Sequence, residues 1–327
     1  MPKKIIFNKV GNPEVLEYVN YNLEDNISPK EVRINQTSIG LNYIDTYHRS
    51  GTYPLSVNFP ICPGIEGAGE VIGIGNEISN FNIGDRVCYA SPPIGAYCEV
   101  RDFPEDKLLK LPDEITNDIA ASIFLKGLTV EYLFERLYKI KEKEFILFHA
   151  AAGGVGTLAS QWAKSKGCKM IGTVGSEDKA EIAKKNGCEF VINYKKENVV
   201  RKVNEITNGN GVPVVYDGVG KDTFEDSIKC LSLRGLFVSF GQSSGMIPDV
   251  NLHKTFNPKS LYYTRPTLMH YNNTRDELEN SSNLLFKKIN KKEINLQQPK
   301  IYELKDAKIA HTELESRKTK GSAIFKI

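Results

Sequence analysis

No Cys-x-x-Cys pair, no long hydrophobic run and almost no net charge are present in the 327-residue chain, and each absence removes a class of function. The six cysteines, Cys62, Cys88, Cys98, Cys168, Cys188 and Cys230, are scattered singly. That spacing gives neither a zinc ribbon nor the disulfide framework of a small secreted domain. Cys88 and Cys98 are the pair placed to face each other across a hairpin, and a reducing cytosol would keep even those as thiols. No stretch reaches the roughly 18 apolar residues that a membrane-spanning helix needs, and the opening Met1-Pro2-Lys3-Lys4-Ile5-Ile6-Phe7 lacks the apolar core of a secretory signal. A cytoplasmic protein without a membrane partner is therefore expected. The net charge of +3, from 43 basic and 40 acidic residues, gives no electrostatic reason to expect nucleic acid or anionic lipid as the main partner. The lysine-rich patches at 139–143 and 287–292 are interrupted by acids or apolar residues, as solvated surfaces are.

What is present divides the chain. Its length exceeds the usual single-domain size, so two domains are expected. Residues 1 to about 125 read as short alternating strands, at Glu31 to Gly40, Gly69 to Gly75, Asp85 to Ala90 and Ala96 to Val100, punctuated by Gly, Pro, Asn and Asp. This suits a compact, barrel-like β domain. Gly64, Gly67, Gly69, Gly73 and Gly75 crowd around Glu66 and Glu70, which points to bulges or close backbone approach. From about residue 117 the period becomes helical through Leu137, and strands then alternate with helices. The strands fall at Phe145–His149, Lys169–Val174, Phe190–Asn193, Val214–Asp217, Gly235–Gly241 and Leu261–Thr264. The helices fall after His149 and at Asp178–Asn186, Glu197–Thr207 and Thr223–Ser232. Such alternation implies right-handed crossovers and a doubly wound parallel sheet of α/β class, with a ligand at the C-terminal strand ends. Gly167, Gly187 and Gly235 stand where helices are expected to end.

The first of these strands leads into Ala151-Ala152-Gly153-Gly154-Val155-Gly156 and then a helix. A glycine turn there lets the backbone approach a pyrophosphate, whose charge the helix N-terminus favours. The dinucleotide fingerprint lacks its first glycine, since Ala151 stands in that place, and a plain strand-to-helix turn is the competing reading of the motif alone. The strand–helix context favours the dinucleotide. At the tip of the second strand, where an acid would accept from an unphosphorylated ribose, the chain has Val174-Gly175-Ser176 followed by Lys179, with Tyr194 and Lys195 closing the third strand. Hydroxyls and an ammonium suit a 2′-phosphate, so NADPH is favoured over NADH. In the counter-reading Glu177 or Asp178 takes the ribose, although both also fit as first-turn acids that complement the helix dipole.

Several segments together resemble the zinc-free quinone oxidoreductase branch of the medium-chain dehydrogenase/reductase superfamily, which includes zeta-crystallin. They are residues 151–156 with Gln161 and Lys164, the run from Ile39 to Tyr47, Phe124-Leu125-Lys126-Gly127-Leu128-Thr129, Val238-Ser239-Phe240-Gly241, Thr264-Arg265-Pro266 and Leu314-Glu315-Ser316-Arg317. The resemblance implies a Rossmann domain, about residues 126–268, inserted into a GroES-like β-barrel catalytic domain made of residues 1–125 and 269–327, with the cleft between them. Zinc-dependent members place a Cys and a Gly-His-Glu motif around a catalytic metal. Here Asn42 and Gly64-Ile65-Glu66 stand instead, no Cys lies in 124–129, and the structural zinc lobe is missing. No metal ligand is therefore expected, and His48, His149, His253, His270 and His311 are read as packing or surface residues.

By the same resemblance, Asn42 and Tyr47 line the nicotinamide end of the cleft, where they orient the cofactor or donate to the substrate oxygen. Tyr47 is either a proton donor or a cleft-wall aromatic, because solvent can supply the proton of a hydroquinone. Thr129 is implied near the pyrophosphate or nicotinamide, and Gly153, Gly154 and Val155 at the phosphates. Gly175, Ser176, Lys179, Tyr194 and Arg317 are implied around the 2′-phosphate, although Arg317 without the resemblance reads as a surface arginine. Val219, Phe240, Gln242, Ser243, Thr264, Arg265 and Pro266 are implied along the rest of the cofactor, with Gln242 departing from the usual Asn. The expected reaction is NADPH-dependent quinone reduction without zinc. The alternatives are reduction of an alkenal or enone double bond, and a crystallin-like structural or RNA-binding role. A homodimer paired through the edge strand at Leu261 to Thr264 is also expected.

Overall fold

The computed structural model describes all residues from Met1 to Ile327 and divides into two compact units. One comprises Met1–Gly127, Thr274–Phe286 and Leu296–Ile327, and the other comprises Leu128–Asn273 and Lys287–Asn295. No helix is long and apolar enough to cross a membrane.

The chain opens with β1 (Lys3–Ile6) and β2 (Glu17–Asn20), an antiparallel pair. It continues through β3 (Glu31–Leu41), α1 (Tyr43–Ser50), β4 (Glu66–Ile74), β5 (Arg86–Ala90), β6 (Val100–Pro104) and β7 (Leu109–Lys110). After α2 (Asn117–Glu131) and a π-helical segment, Tyr132–Leu137, come β8 (Phe145–Phe148), α3 (Gly154–Ser165), β9 (Lys169–Val174) and α4 (Glu177–Lys185). Next are β10 (Phe190–Asn193), α5 (Val199–Ile206), β11 (Val212–Asp217), α6 (Phe224–Cys230) and β12 (Leu231–Ser239). Then follow α7 (Leu252–Phe256), β13 (Tyr262–Thr264), α8 (Leu268–Tyr271), α9 (Arg275–Asn290), β14 (Lys300–Glu303), α10 (Ala307–Glu315) and β15 (Ala323–Lys326).

The first unit is built on a seven-stranded sheet in the order β14-β15-β3-β4-β5-β7, with β6 also paired to β3. β3 is its spine. Val32 and Ile34 alternate into a core with Phe7, Val71, Phe103 and Phe325, as a half-buried strand requires. Gln36 on the same buried side donates from Nε2 to the carbonyls of Ala96 (2.8 Å) and Cys98 (2.6 Å). The expected strand at Ala96 to Val100 departs from a regular ladder because its backbone bonds go to several partners: Ile5 N–H donates to Tyr97 O (2.8 Å), Glu99 N–H to Lys3 O (2.9 Å) and Gln36 N–H to Glu99 O (2.8 Å), and continuous pairing with β3 begins only at Val100.

The second unit carries six parallel strands in the order β10-β9-β8-β11-β12-β13. Counted within the unit this is 3-2-1-4-5-6, the doubly wound order whose direction reverses between β8 and β11 and leaves a ligand crevice at the strands' C-terminal ends. Leu147, Ile171, Ile192, Val215 and Phe237 supply the near-continuous apolar interior that a sheet covered on both faces needs. Gly167 and Gly187 follow α3 and α4 with left-handed backbone, φ 66° and 96°, as expected for residues that end a helix. Gly235 does not play this part. Leu231 is drawn into the core, so α6 ends at Cys230 and β12 starts four residues earlier than the sequence suggests, with Arg234 taking the left-handed turn (φ 58°).

Candidate functional site

In the second unit the strand tips converge on one rim. β8 ends in the turn Ala150 to Gly153, and α3 begins at Gly154 with no side-chain cap and no acid in its first turn. The N termini of α4 and α5, by contrast, are capped by Ser176 and Asn198. The first-turn N–H groups of α3 are thus left for an outside anion, and the donor set fits a diphosphate. Gly156 allows the tight packing beneath. A Cβ there would fall 2.4 Å from the Ala150 carbonyl oxygen and 2.7 Å from Ala151 Cα.

At the tip of β9, Gly175, Ser176, Lys179 and Tyr194 come together. A Cβ on Gly175 would lie 2.4 Å from the Tyr194 hydroxyl, so the missing side chain is what admits the phenol. Ser176 Oγ accepts from the Lys179 backbone N–H at 3.4 Å. Glu177 is turned to other work: its carboxylate accepts from Lys196 Nζ and from Asn193 Nδ2, each at 2.8 Å, and Lys196 and Asn193 hold it below the usual carboxylate range. A small hydroxyl, an ammonium and a half-exposed phenol, with the nearest acid engaged, form a set suited to a phosphate rather than to a ribose diol.

The far side of the rim is tied by Arg265. Its Nη1 donates to Ser239 O and Oγ (3.0 and 2.9 Å), and its Nη2 donates to Gln242 Oε1 at 2.9 Å. Phe240 packs over Gly218 and against Phe148, and Ser243 N donates to the Gly218 carbonyl. Val219, Phe240, Gln242, Ser243, Thr264, Arg265 and Pro266 therefore share the tips of β11, β12 and β13. Thr129 is buried on α2. His149, just past β8, is held by Thr173 and Ser227 hydroxyls at 2.9 Å each, and burial lowers its pKa, as befits a packing histidine.

In the first unit, Asn42 immediately precedes α1 and Tyr47 lies within it, its ring tilted against those of Tyr43 and Tyr53 at centroid separations of 5.4 and 4.8 Å. Asn42 meets Glu66, which is fully buried. Its carboxylate accepts from Asn42 Nδ2 (2.6 Å) and from the Leu125 backbone N–H (2.7 Å), with Lys126 Nζ at 3.6 Å. Gly40 makes the room, because a Cβ there would fall 2.1 Å from Glu66 Oε2. No group of three or more His, Cys, Asp or Glu side chains is arranged to hold a metal.

Asn42 is anchored from its backbone as well. Asp45 Oδ2 accepts from Asn42 N and from the Tyr97 hydroxyl, both at 2.9 Å, and His311 Nε2 lies 3.0 Å from that hydroxyl. Arg49 Nη1 lies 3.2 Å from His311 Nδ1 and can only donate, so Nδ1 accepts and Nε2 carries the proton. Arg49 also grips Glu315 with two bonds, of 2.7 and 3.0 Å. Burial pushes Asp45 up to about 7 and His311 down to about 3. The chain of contacts fastens α10 to the start of α1. Arg317, one residue beyond Ser316 at the α10 end, has left-handed backbone (φ 59°). The sequence did not point to the parts played by Asp45, Glu66, Tyr97, Lys126 and His311. Glu66 and Lys126 lie in segments already singled out, but nothing local marked their pairing.

All six cysteines are free thiols. Cys88 and Cys98 do not pair across a hairpin as expected: Cys88 lies opposite Ala68 and Leu109, while Cys98 bridges to Lys4 and its thiol donates to the Gly95 carbonyl at 3.2 Å.

A 3-2-1-4-5-6 parallel sheet with an uncapped glycine turn at its first strand, joined in one chain to a mainly antiparallel sheet unit, defines a dehydrogenase of the medium-chain type. The family models agree: residues 154–287 match a zinc-binding dehydrogenase model and residues 28–113 an alcohol dehydrogenase GroES-like domain. The quinone oxidoreductase of Pseudomonas aeruginosa is 48% identical over 325 residues, 99% of each chain. The crystal structure of Escherichia coli quinone oxidoreductase complexed with NADPH matches with a TM-score of 0.96 at 48% identity, covering 99% of this chain and 100% of that one. A 2-haloacrylate reductase from a Burkholderia species is 40% identical over 302 residues, 91% of each chain. The chain belongs to the quinone oxidoreductase family of the medium-chain dehydrogenase/reductases.

Proposed function

We propose that this chain reduces quinones with NADPH, by hydride transfer and without a metal ion. The uncapped α3 turn with Ser176, Lys179 and Tyr194 on the same rim carries the reading, and the relative crystallised with NADPH supports it. Gly153, Gly154 and Val155 would hold the diphosphate through backbone N–H groups, and Gly175, Ser176, Lys179, Tyr194 and Arg317 the 2′-phosphate. Val219, Phe240, Gln242, Ser243, Thr264, Arg265 and Pro266 would line the remainder, with Thr129, Asn42 and Tyr47 at the nicotinamide end. When bound, NADPH supplies the hydride. A quinone is electron-poor enough to accept it with hydrogen-bond help alone, which agrees with a donor set holding no metal cluster. The protein's part is then to orient and to exclude water, and Tyr47 serves as an aromatic wall while solvent provides the proton that completes the hydroquinone.

The second reading, reduction of an activated carbon–carbon double bond, draws on the 2-haloacrylate reductase among the relatives. NADPH oxidation measured side by side with 1,4-benzoquinone, 9,10-phenanthrenequinone and an alkenal separates the two. The quinones are expected to turn over faster. A faster alkenal would favour the second reading, and bound NADPH with no turnover would favour a binding or structural role. The Tyr262–Thr264 strand leaves an exposed sheet edge with Tyr262 and Tyr263 largely in solvent, and we propose that two copies pair there. Sedimentation at the mass of one chain would remove that proposal. The free thiols suit a reducing cytoplasm, and cell fractionation that finds the activity elsewhere would remove that assignment.

A further inference from the structure

The Glu66 cluster decides which end of the Asn42 amide a ligand meets. An amide offers donors at one end and an acceptor at the other. Glu66 Oε2 takes Asn42 Nδ2–H at 2.6 Å, so the NH2 end faces the interior and the carbonyl end is turned away from the carboxylate. One of the two Nδ2–H donors is thus committed to Glu66, and the carbonyl oxygen lies on the other side of the amide, toward the first turn of α1, where Asp45 stands at the third position. The other Glu66 oxygen takes the Leu125 N–H, and Lys126, itself buried with no hydrogen-bond acceptor at normal distance, balances the charge from 3.6 Å. Gly40 keeps the space for this carboxylate open.

We propose that Glu66, charge-balanced by Lys126, is a positioning residue that fixes Asn42 as a hydrogen-bond acceptor for an N–H or O–H donor of the bound ligand. The carboxamide N–H of a nicotinamide has that chemistry. The inference rests on the NADPH reading above. Only a carboxylate can serve all three donors. A glutamine has one carbonyl oxygen, so its NH2 must oppose either the Leu125 N–H or the Asn42 NH2, and the Asn42 amide relieves the clash by turning over. Glu66→Gln also leaves Lys126 a buried, uncompensated cation, which lowers stability for reasons unrelated to positioning.

The experiment separates the two effects with Glu66→Gln and with the double variant Glu66→Gln/Lys126→Met, in which neither member of the Glu66–Lys126 pair carries a charge. Thermal midpoint, NADPH affinity by cofactor-fluorescence titration, and KM and kcat with 1,4-benzoquinone are read for each. The single variant is expected to lose thermal midpoint and about tenfold in NADPH affinity, the scale of one hydrogen bond made or lost. The double variant is expected to recover the midpoint while keeping the affinity loss. Recovery of midpoint and affinity together would overturn the proposal and leave the pair a structural one, and so would unchanged affinity in the single variant. Should the single variant not fold, the double variant alone decides, since a well-folded protein with wild-type affinity contradicts the claim. A wild-type chain that binds NADPH but reduces no quinone would sink the reaction reading, while the affinity comparison still tests the positioning of Asn42.

Discussion

Lys179→Glu is expected to weaken NADPH binding on the order of a hundredfold while moving NADH binding by no more than about threefold, since it exchanges a charge-assisted contact for repulsion. The 2′-phosphate is the only difference between the two cofactors, and it carries nearly two negative charges. Lys179 sits in the first turn of α4 with its backbone N–H on Ser176 Oγ, beside the Tyr194 phenol that Gly175 admits. Glu177 is occupied by Lys196 and Asn193, so it neither repels the phosphate at close range nor offers itself to a ribose. Fluorescence titrations with both cofactors check this. The NADPH penalty should shrink in high salt, because these groups face solvent and screening shortens their reach to a few ångströms. Equal losses for both cofactors would show that Lys179 supports the fold or the ribose and does not read the phosphate.

The second large effect is expected from Gly156→Ala. The added methyl meets the Ala150 carbonyl oxygen at 2.4 Å and Ala151 backbone atoms at 2.7 Å, and main chain in a tight turn cannot rotate aside as a side chain would. Overpacking of this kind costs about 1–3 kcal/mol of stability, and displacement of the turn should remove most NADPH affinity. Gly153→Ala is the informative partner. Its Cβ would approach nothing closer than 3.3 Å and its φ of −78° suits any residue, so the fold should hold within about 0.5 kcal/mol. The methyl would nevertheless stand where a diphosphate approaches the backbone. Denaturant midpoints and NADPH titrations of both variants test the pair of expectations. Intact NADPH binding in Gly156→Ala would mean that the turn is not the phosphate cradle.

The features legible in the sequence were those written in local periodicity. The alternation after residue 117 gave the parallel sheet, because each strand is a short apolar run and each helix a 3.6-residue pattern. The glycine turn alone also fits a plain strand-to-helix turn, and it was the run of strand–helix units around it that made a dinucleotide site legible. Boundaries failed where tertiary pull outweighed local signal. Leu231 was read as helix and belongs to β12, since the core claims its side chain. Ala96 to Val100 has the pattern of a strand, but its backbone bonds are shared among Pro63, Gly64, Lys3, Ile5 and Gln36, and no continuous ladder forms before Val100. The Asn42, Glu66 and Lys126 cluster was illegible for another reason. Its members come from a helix N-terminus, a strand start and a second helix, and no local pattern encodes a carboxylate that three distant donors share.

The central claim is hydride transfer from NADPH to a quinone with no metal required. It is tested most directly by the rate of NADPH oxidation with 1,4-benzoquinone before and after exhaustive treatment with a zinc chelator. The claim requires an equal rate in both samples, with one hydroquinone formed for each NADPH consumed. A rate that falls with chelation and returns when zinc is added would contradict it.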